Sequence, residues 1–114
     1  MASYQKGLWA EYLAIAFLTC KGYRLLQRRY KTRLGEIDLV MHRGKTLAFI
    51  EVKARPELET GLEAISPKSQ ERIQRSAQMF CQANPRFVSH NWRFDAIVVR
   101  PRRMPYHLED AWRP

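Results

Sequence analysis

The sequence predicts an α/β fold: a central mixed sheet covered by helices, in the order helix, three strands, helix, strand. Three observations carry this. An apolar pattern at helical spacing runs from Ser3 to Lys21, two short apolar runs flank a Gly-containing turn near the middle, and a strand apolar on both faces follows a second helical pattern. A strand of that last kind belongs inside a sheet.

In the first segment Leu8, Tyr12, Ile15 and Ala16 recur at helical spacing, and Trp9, Leu13, Phe17 and Cys20 widen the apolar face. Gly22 suits the left-handed residue that closes a helix, and Lys21 suits the negative end of the helix dipole. Tyr23 to Tyr30 reads as a first strand, Ile37 to Met41 as a second and Leu47 to Lys53 as a third. The last two join through His42-Arg43-Gly44-Lys45 as a hairpin. Arg55-Pro56 opens a polar stretch to Ile65 that reads as a surface loop. Ser66-Pro67 starts the second helix, because Ser accepts at the N-cap and Pro fits the first turn. Ile73, Ala77 and Phe80, with Met79 and Cys81, form its buried stripe, and Asn84-Pro85 ends it. Trp92 to Val99 is the fourth strand, with Phe94, Ala96 and Val98 on one face and Ile97 and Val99 on the other. Pro101 to Pro105 is a basic linker, and Tyr106 to Trp112 adds a short final strand.

A length of 114 residues fits one compact domain, residues 1–114. Such a domain buries roughly 65% of its unfolded surface, enough for a core without staples. No apolar run approaches the ~20 residues of a membrane span, since Glu11 breaks the stretch from Leu8 to Cys20. Met1 to Lys6 lacks the order of a signal peptide, so a cytoplasmic protein with no membrane partner is expected. Cys20 and Cys81 form no CxxC pair, which argues against a zinc site or a disulfide framework. Lys and Arg number 20 against 11 Asp and Glu, a net charge of +9. That excess favours a polyanionic partner, most simply nucleic acid, although solubility alone also accounts for it.

The chemistry concentrates in Gly35-Glu36-Ile37-Asp38-Leu39-Val40 and Phe49-Ile50-Glu51-Val52-Lys53. Alternation along a strand puts Ile37, Leu39 and Met41 on one side and Asp38 with Val40 on the other. In the third strand it separates Ala48, Ile50 and Val52 from Phe49, Glu51 and Lys53. A type II′ turn at Gly44-Lys45 places Asp38 directly opposite Glu51. A turn at Arg43-Gly44 makes them diagonal neighbours. Either register leaves the two acids on one face, about 5 to 8 Å apart between backbones. Two carboxylates that close repel unless a cation lies between them, and a hard ion such as Mg²⁺ wants such oxygen ligands. Lys53, two residues after Glu51, reaches the same pocket. The structural alternative is an ion-pair cluster with no catalytic role.

Asp38, a hairpin turn and Glu51-Val52-Lys53 together resemble the PD-(D/E)xK nuclease motif, with Ile37 where the superfamily often has proline. The longer string is similar to the YraN-like family of small bacterial proteins, related in fold to Holliday junction resolvases. The match extends through Ala54-Arg55, Lys68, Gln70, Arg72 and Arg93-Phe94-Asp95, and near the start through Gly7, Glu11 and Gly22-Tyr23. The resemblance covers nearly the whole chain. It implies a restriction-endonuclease-like αβββαβ core and a site for Mg²⁺ or Mn²⁺. Asp38, Glu51 and the Val52 carbonyl would be ligands, Lys53 would act on the attacking water and the phosphate, and Glu11 would complete the catalytic and metal site from the first helix. Glu11 is also the single charge from Gly7 through Cys20, on the side of Leu8 and Ile15, so it needs a partner. A salt bridge to a nearby Arg or Lys is the other way to supply one.

Arg24, Arg28, Arg29, Lys31 and Arg33 line the approach to the hairpin, with Tyr23 and Tyr30 between them as base-stacking surfaces. A charged, solvated edge strand explains the same pattern. Lys68, Arg72 and Arg75 recur at helical spacing as a phosphate-tracking face, and Arg55 follows the Glu-Val-Lys string. Asp95 reads as structural, paired with an Arg or capping backbone groups. His42, His90 and His107 have no ligand-spaced partner and are assigned nothing. The expected function is metal-dependent phosphodiester hydrolysis of nucleic acid, DNA first and branched DNA by fold analogy. A homodimer would suit a symmetric two-strand cut. The alternatives are a nuclease-fold binding module without catalysis and an interaction protein with an acidic partner.

Overall fold

The protein, as a computed structural model, is described over residues 3–113, with residues 3–6 as backbone alone. Helix α1 spans Ser3–Cys20. Strands β1 (Arg24–Thr32), β2 (Gly35–Arg43) and β3 (Thr46–Ala54) follow, then α2 (Leu58–Glu63), α3 (Pro67–Ala83), a single 3₁₀ turn at Pro85–Phe87, β4 (Asn91–Val99) and β5 (Tyr106–Trp112). The five strands form one sheet in the order β1-β2-β3-β4-β5. All neighbours are antiparallel except β3 and β4, which run parallel. A parallel pair needs a crossover, and α2 with α3 supplies it. This is the mixed sheet with helices that the sequence predicts.

The two sheet faces have different cores. On the α3 side Val40, Phe49, Phe94 and Ala96 meet Ile73, Ala77 and Phe80, with Phe87 and Trp112 closing the edge. Aromatic pairs dominate there: Phe49 stacks on Phe94 at 5.5 Å and Phe94 on Trp112 at 5.7 Å between centroids. On the α1 side Leu39, Met41, Ile50 and Ile97 meet Ala10, Ala14 and Leu18. The expected alternation therefore holds along β3 and β4. In β2 it fails at Ile37, which joins the α3 core and not that of Leu39. Pairing with β3 stops at Leu39. Beyond it β2 continues with β1 alone toward α3, where a Cβ on Gly35 would lie 3.1 Å from the Arg72 Cβ.

Helix α1 buries a different face from the one expected. Trp9 (58% exposed), Tyr12, Ala16 and Cys20 face outward, while Ala10, Glu11, Ala14 and Leu18 are buried. The helix is apolar almost all round, so its periodicity does not select a face. The small side chains Ala10 and Ala14 do, by allowing a close approach to the sheet. Helix α3 follows its prediction: the Ser66 hydroxyl accepts from the Ser69 amide at 3.1 Å, Pro67 lies in the first turn, and Ile73, Ala77 and Phe80 are buried.

The stretch expected as a loop from Arg55 to Ile65 contains α2, held by close packing. A Cβ on Gly61 would lie 2.6 and 2.8 Å from the two Val98 methyl carbons, and Val98 is fully buried. Helix propensity alone would make Gly61→Ala stabilising by about 1 kcal/mol. The contact with a β-branched side chain in mid-sheet outweighs that, since overpacking costs about 1 to 3 kcal/mol. Gly61→Ala therefore lowers the urea midpoint; an unchanged or raised midpoint would show that α2 shifts freely over β4.

Candidate metal-binding active site

The hairpin register brings the two acids together. Arg43 pairs with Thr46 around a two-residue loop, Gly44-Lys45, in which Gly44 has a φ of 58°. Positive φ at the first loop residue fits the type II′ turn, a conformation glycine enters without strain. From that turn the ladder runs to Leu39 opposite Ile50, where the pairing ends, one residue short of Asp38 and Glu51. There the Asp38 side chain replaces the strand backbone: its Oδ2 accepts from the Val52 amide at 2.8 Å.

The Asp38 carboxyl lies beside that of Glu51 and disfavours its charged form. Two carboxylates that close repel unless one is protonated or a cation intervenes. Burial, then the hydrogen bond to Asp38 and its charge, push the Glu51 carboxyl up to about 9, with Glu36 adding and Lys53 opposing. Lys53, half-buried two residues along β3, is the nearby cation that acts against the strain. A divalent cation would relieve it by offsetting both negative charges. Asp38 and Lys53 thus both act on Glu51, and Val52 lies between Glu51 and Lys53 in β3, its amide turned to Asp38.

Glu11 does not join them. Its Oε1 accepts from Arg29 Nε at 3.0 Å and lies 3.8 Å from Arg28. Among the described residues no three His, Cys, Asp or Glu side chains converge into a metal cluster. The face of α1 carrying Glu11 lies against β1, whose arginines satisfy the buried acid before it can reach the hairpin. This is the salt bridge given as the other way to supply Glu11 with a partner, and it engages Arg28 and Arg29 in an internal ion pair. Arg28 also covers the Tyr12 ring at 5.0 Å.

The other expected nucleic-acid contacts separate into groups. Arg33, Lys68, Arg72 and Arg75 surround a depression of about 290 Å³ between the β1–β2 turn and α3, which Glu71 also lines, paired with Arg75 at 2.7 Å. Gly35, which touches Arg72, is three residues from Asp38, about 10 Å along the strand. Arg55 lines a separate cleft beside Trp9. Arg24 is exposed in edge strand β1, opposite His42. Neither tyrosine is a free stacking surface: Tyr23 is buried and Tyr30 packs edge-on against Phe80 at 5.4 Å.

A buried polar network escaped sequence reading except for Asp95. Asp95 is fully buried in β4, and Arg93 grips it with two hydrogen bonds of 2.8 Å. His107 Nε2 lies at 2.8 Å from Oδ2, and the Asp110 amide donates to Oδ1 at 3.0 Å. Arg93 also donates to the Tyr23 hydroxyl. Lys21 Nζ is 2.7 Å from His107 Nδ1. An ammonium has no acceptor, so Nδ1 accepts and Nε2 carries the hydrogen toward Asp95. Burial alone would raise the Asp95 carboxyl, but the bonds from His107, Arg93 and Asp110 outweigh it and hold it below its ordinary range. His107 lies in β5.

The sheet and its paired acids define a class: a small α/β protein with a two-carboxylate, one-lysine site on a β-hairpin. More narrowly, the chain belongs to the uncharacterised protein family UPF0102, whose model matches residues 10–99. This is the YraN-like family that the sequence resembles. Relatives include a UPF0102 protein of Parvibaculum lavamentivorans, 49% identical over all of this chain and 86% of its own length. Others come from Rhodopseudomonas palustris strain BisB5, 47% identical over 98% of this chain and 86% of that protein, and Nitrobacter winogradskyi, 46% identical over 98% and 95%. Among the described residues no helix is long and apolar enough to cross a membrane.

Proposed function

We propose that the chain is a PD-(D/E)xK-type nuclease that hydrolyses phosphodiester bonds in nucleic acid, DNA first, in the cytoplasm. The observation that carries this reading is the closeness of Asp38 to Glu51 with Lys53 beside them, two half-buried acids that a cation would serve together: Asp38 accepts from the Val52 amide next to Glu51 at 2.8 Å, and its charge helps to raise the Glu51 carboxyl. The donor set fits Mg²⁺ or Mn²⁺: Asp38 and Glu51 offer hard carboxylate oxygens, and the Val52 carbonyl is the third oxygen that the family resemblance suggests. When bound, such an ion polarises a phosphoryl oxygen and lowers the pKa of water. Lys53 contributes fixed positive charge where negative charge develops on the phosphate. Arg33, Lys68, Arg72 and Arg75 offer phosphate contacts about three residues of strand away. A branched substrate cut symmetrically would need two copies of the chain about a two-fold axis.

A second reading, a binding module without catalysis, is favoured by the diversion of Glu11 to Arg29 and Arg28. One experiment separates the two: cleavage of linear, flapped and four-way DNA and of RNA, with Mg²⁺ or Mn²⁺. The nuclease reading expects cutting by the wild type. It expects none from Asp38→Ala or Glu51→Ala, and a loss of about 100-fold or more from Lys53→Ala, with affinity for nucleic acid kept. Binding without cutting in any of these conditions would leave the module.

A further inference from the structure

Parallel strands β3 and β4 end side by side, and the chain leaves both at the same rim of the sheet. Beyond them lies a cleft of about 530 Å³ bounded by Trp9 and Leu13 of α1, Arg55 after β3, and Arg100, Arg102 and Arg103 after β4. Ligands of sheets with parallel strands gather at such carboxyl ends. Among the described residues the lining holds four arginines and no acid, so the cleft concentrates positive potential. Two details show that the cationic wall is built rather than incidental. Arg100 Nε is buried without a hydrogen-bond partner among the described residues, a donor whose desolvation is uncompensated until an acceptor arrives. Arg102 holds a φ of 57°, a strained value for a non-glycine residue, in the turn that presents it beside Arg103.

Trp9 supplies the apolar part. It is 58% exposed, on the helix face turned from the sheet, whereas Trp92 is half-buried and Trp112 buried. An indole face beside guanidinium groups matches a nucleotide's two chemistries, a flat base and a phosphate. A duplex hides its base faces in the stack, so the aromatic part of the match is available only to an unpaired strand.

We infer that this cleft holds an unpaired stretch of the DNA strand, a base stacked on Trp9 and phosphates met by Arg55, Arg100, Arg102 and Arg103. The inference rests on the nuclease reading and gives that site a substrate class, DNA with an unpaired segment next to the bond cut. Lys53 is two residues from Arg55 along the chain, about 7 Å, so a strand crossing the rim reaches both.

The test is binding of a labelled single-stranded oligothymidylate, and of a duplex of equal length, by the whole chain in chelator at low salt. Trp9→Ala weakens single-strand binding about tenfold and duplex binding by less, and Trp9→Phe, which keeps an aromatic face, restores most of the loss. Joint replacement of Arg102 and Arg103 by Ala flattens the slope of log affinity against log salt by about 1.4. A Trp9→Ala protein that binds the single strand as the wild type does, or loses both forms equally, overturns the inference. So does a wild type with no preference for the single strand. Cleavage by Glu51→Ala is scored separately. If that variant still cuts, the nuclease reading fails while the binding result still decides the cleft.

Discussion

Glu51→Gln should raise the melting temperature of the metal-free protein at pH 8 and, under the proposed nuclease function, remove cleavage. In the folded protein Glu51 keeps its proton to about pH 9, against an ordinary value of 4.5. Between those values the folded chain binds a proton that the unfolded chain has released. Stability must therefore fall as pH rises through the window, at up to about 1.4 kcal/mol per pH unit for a single proton. Below pH 4.5 both states are protonated and the contribution is complete; above about 9 it is gone. Gln cannot ionise, and its amide can donate to the Asp38 carboxylate. The variant should show a flatter profile and a melting temperature about 5 °C or more above wild type at pH 8 in chelator. Scans from pH 5 to 9 in EDTA check this, and equal slopes for the two proteins would show that the carboxyl pair is not under strain.

Divalent cation should reverse the ranking. An ion that binds the folded state stabilises it by about 2.7 kcal/mol at a hundred times its dissociation constant. It also removes the pH-dependent loss, because it offsets both negative charges. Wild type should gain melting temperature with Mg²⁺ or Mn²⁺ at pH 8, while Glu51→Gln, with one carboxylate left, gains little. Equal stabilisation of both would place the ion elsewhere.

This pair was legible because everything that places it is local. Gly44, the alternation from Ile37 to Met41 and the run from Leu47 to Lys53 lie within one hairpin, and the register follows from the turn. The capped α3 was legible for the same reason. What escaped depends on distant or weakly patterned partners. Glu11 was recognisable as an acid that needs a partner, but β1 arginines compete for it, and only the packing angle of α1 decides. Trp9 lies on a helix whose apolar residues go nearly all round, so its exposure is set by Ala10 and Ala14 opposite. The partners Lys21 and His107 are 86 residues apart, and Tyr23 and Arg93 are 70 apart, with no spacing pattern to announce them.

That long-range network predicts the largest loss of stability. Asp95→Ala should cost about 3 kcal/mol, toward the lower end of what breaking a buried ion pair costs, because the Arg93 side chain keeps 18% of its exposure. The loss is more than two bonds. It leaves a guanidinium whose main partner is gone, an Asp110 amide without its acceptor, and a His107 Nε2–H with no carboxylate to meet. Glu109, 3.8 Å from Arg93 and half exposed, is too distant and too well hydrated to compensate. Removing Arg93 as well should recover part of the cost, since the stranded charge leaves with it; urea unfolding of both single variants and the double variant measures that coupling. The sign with pH is opposite to that of Glu51. The Asp95 carboxyl is held below its ordinary value of 3.8, so its contribution is complete above that value and fades as pH falls through the lower, folded one. The gap between wild type and Asp95→Ala should therefore be wide at pH 7 and narrow in acid. A gap that stayed constant to pH 2 would mean that Asp95 acts by filling space, with its charge irrelevant. Because β4 carries Asp95 and pairs with β3 beside Glu51, a loosened network should also lower the affinity for divalent cation, whereas a purely local defect would leave it intact.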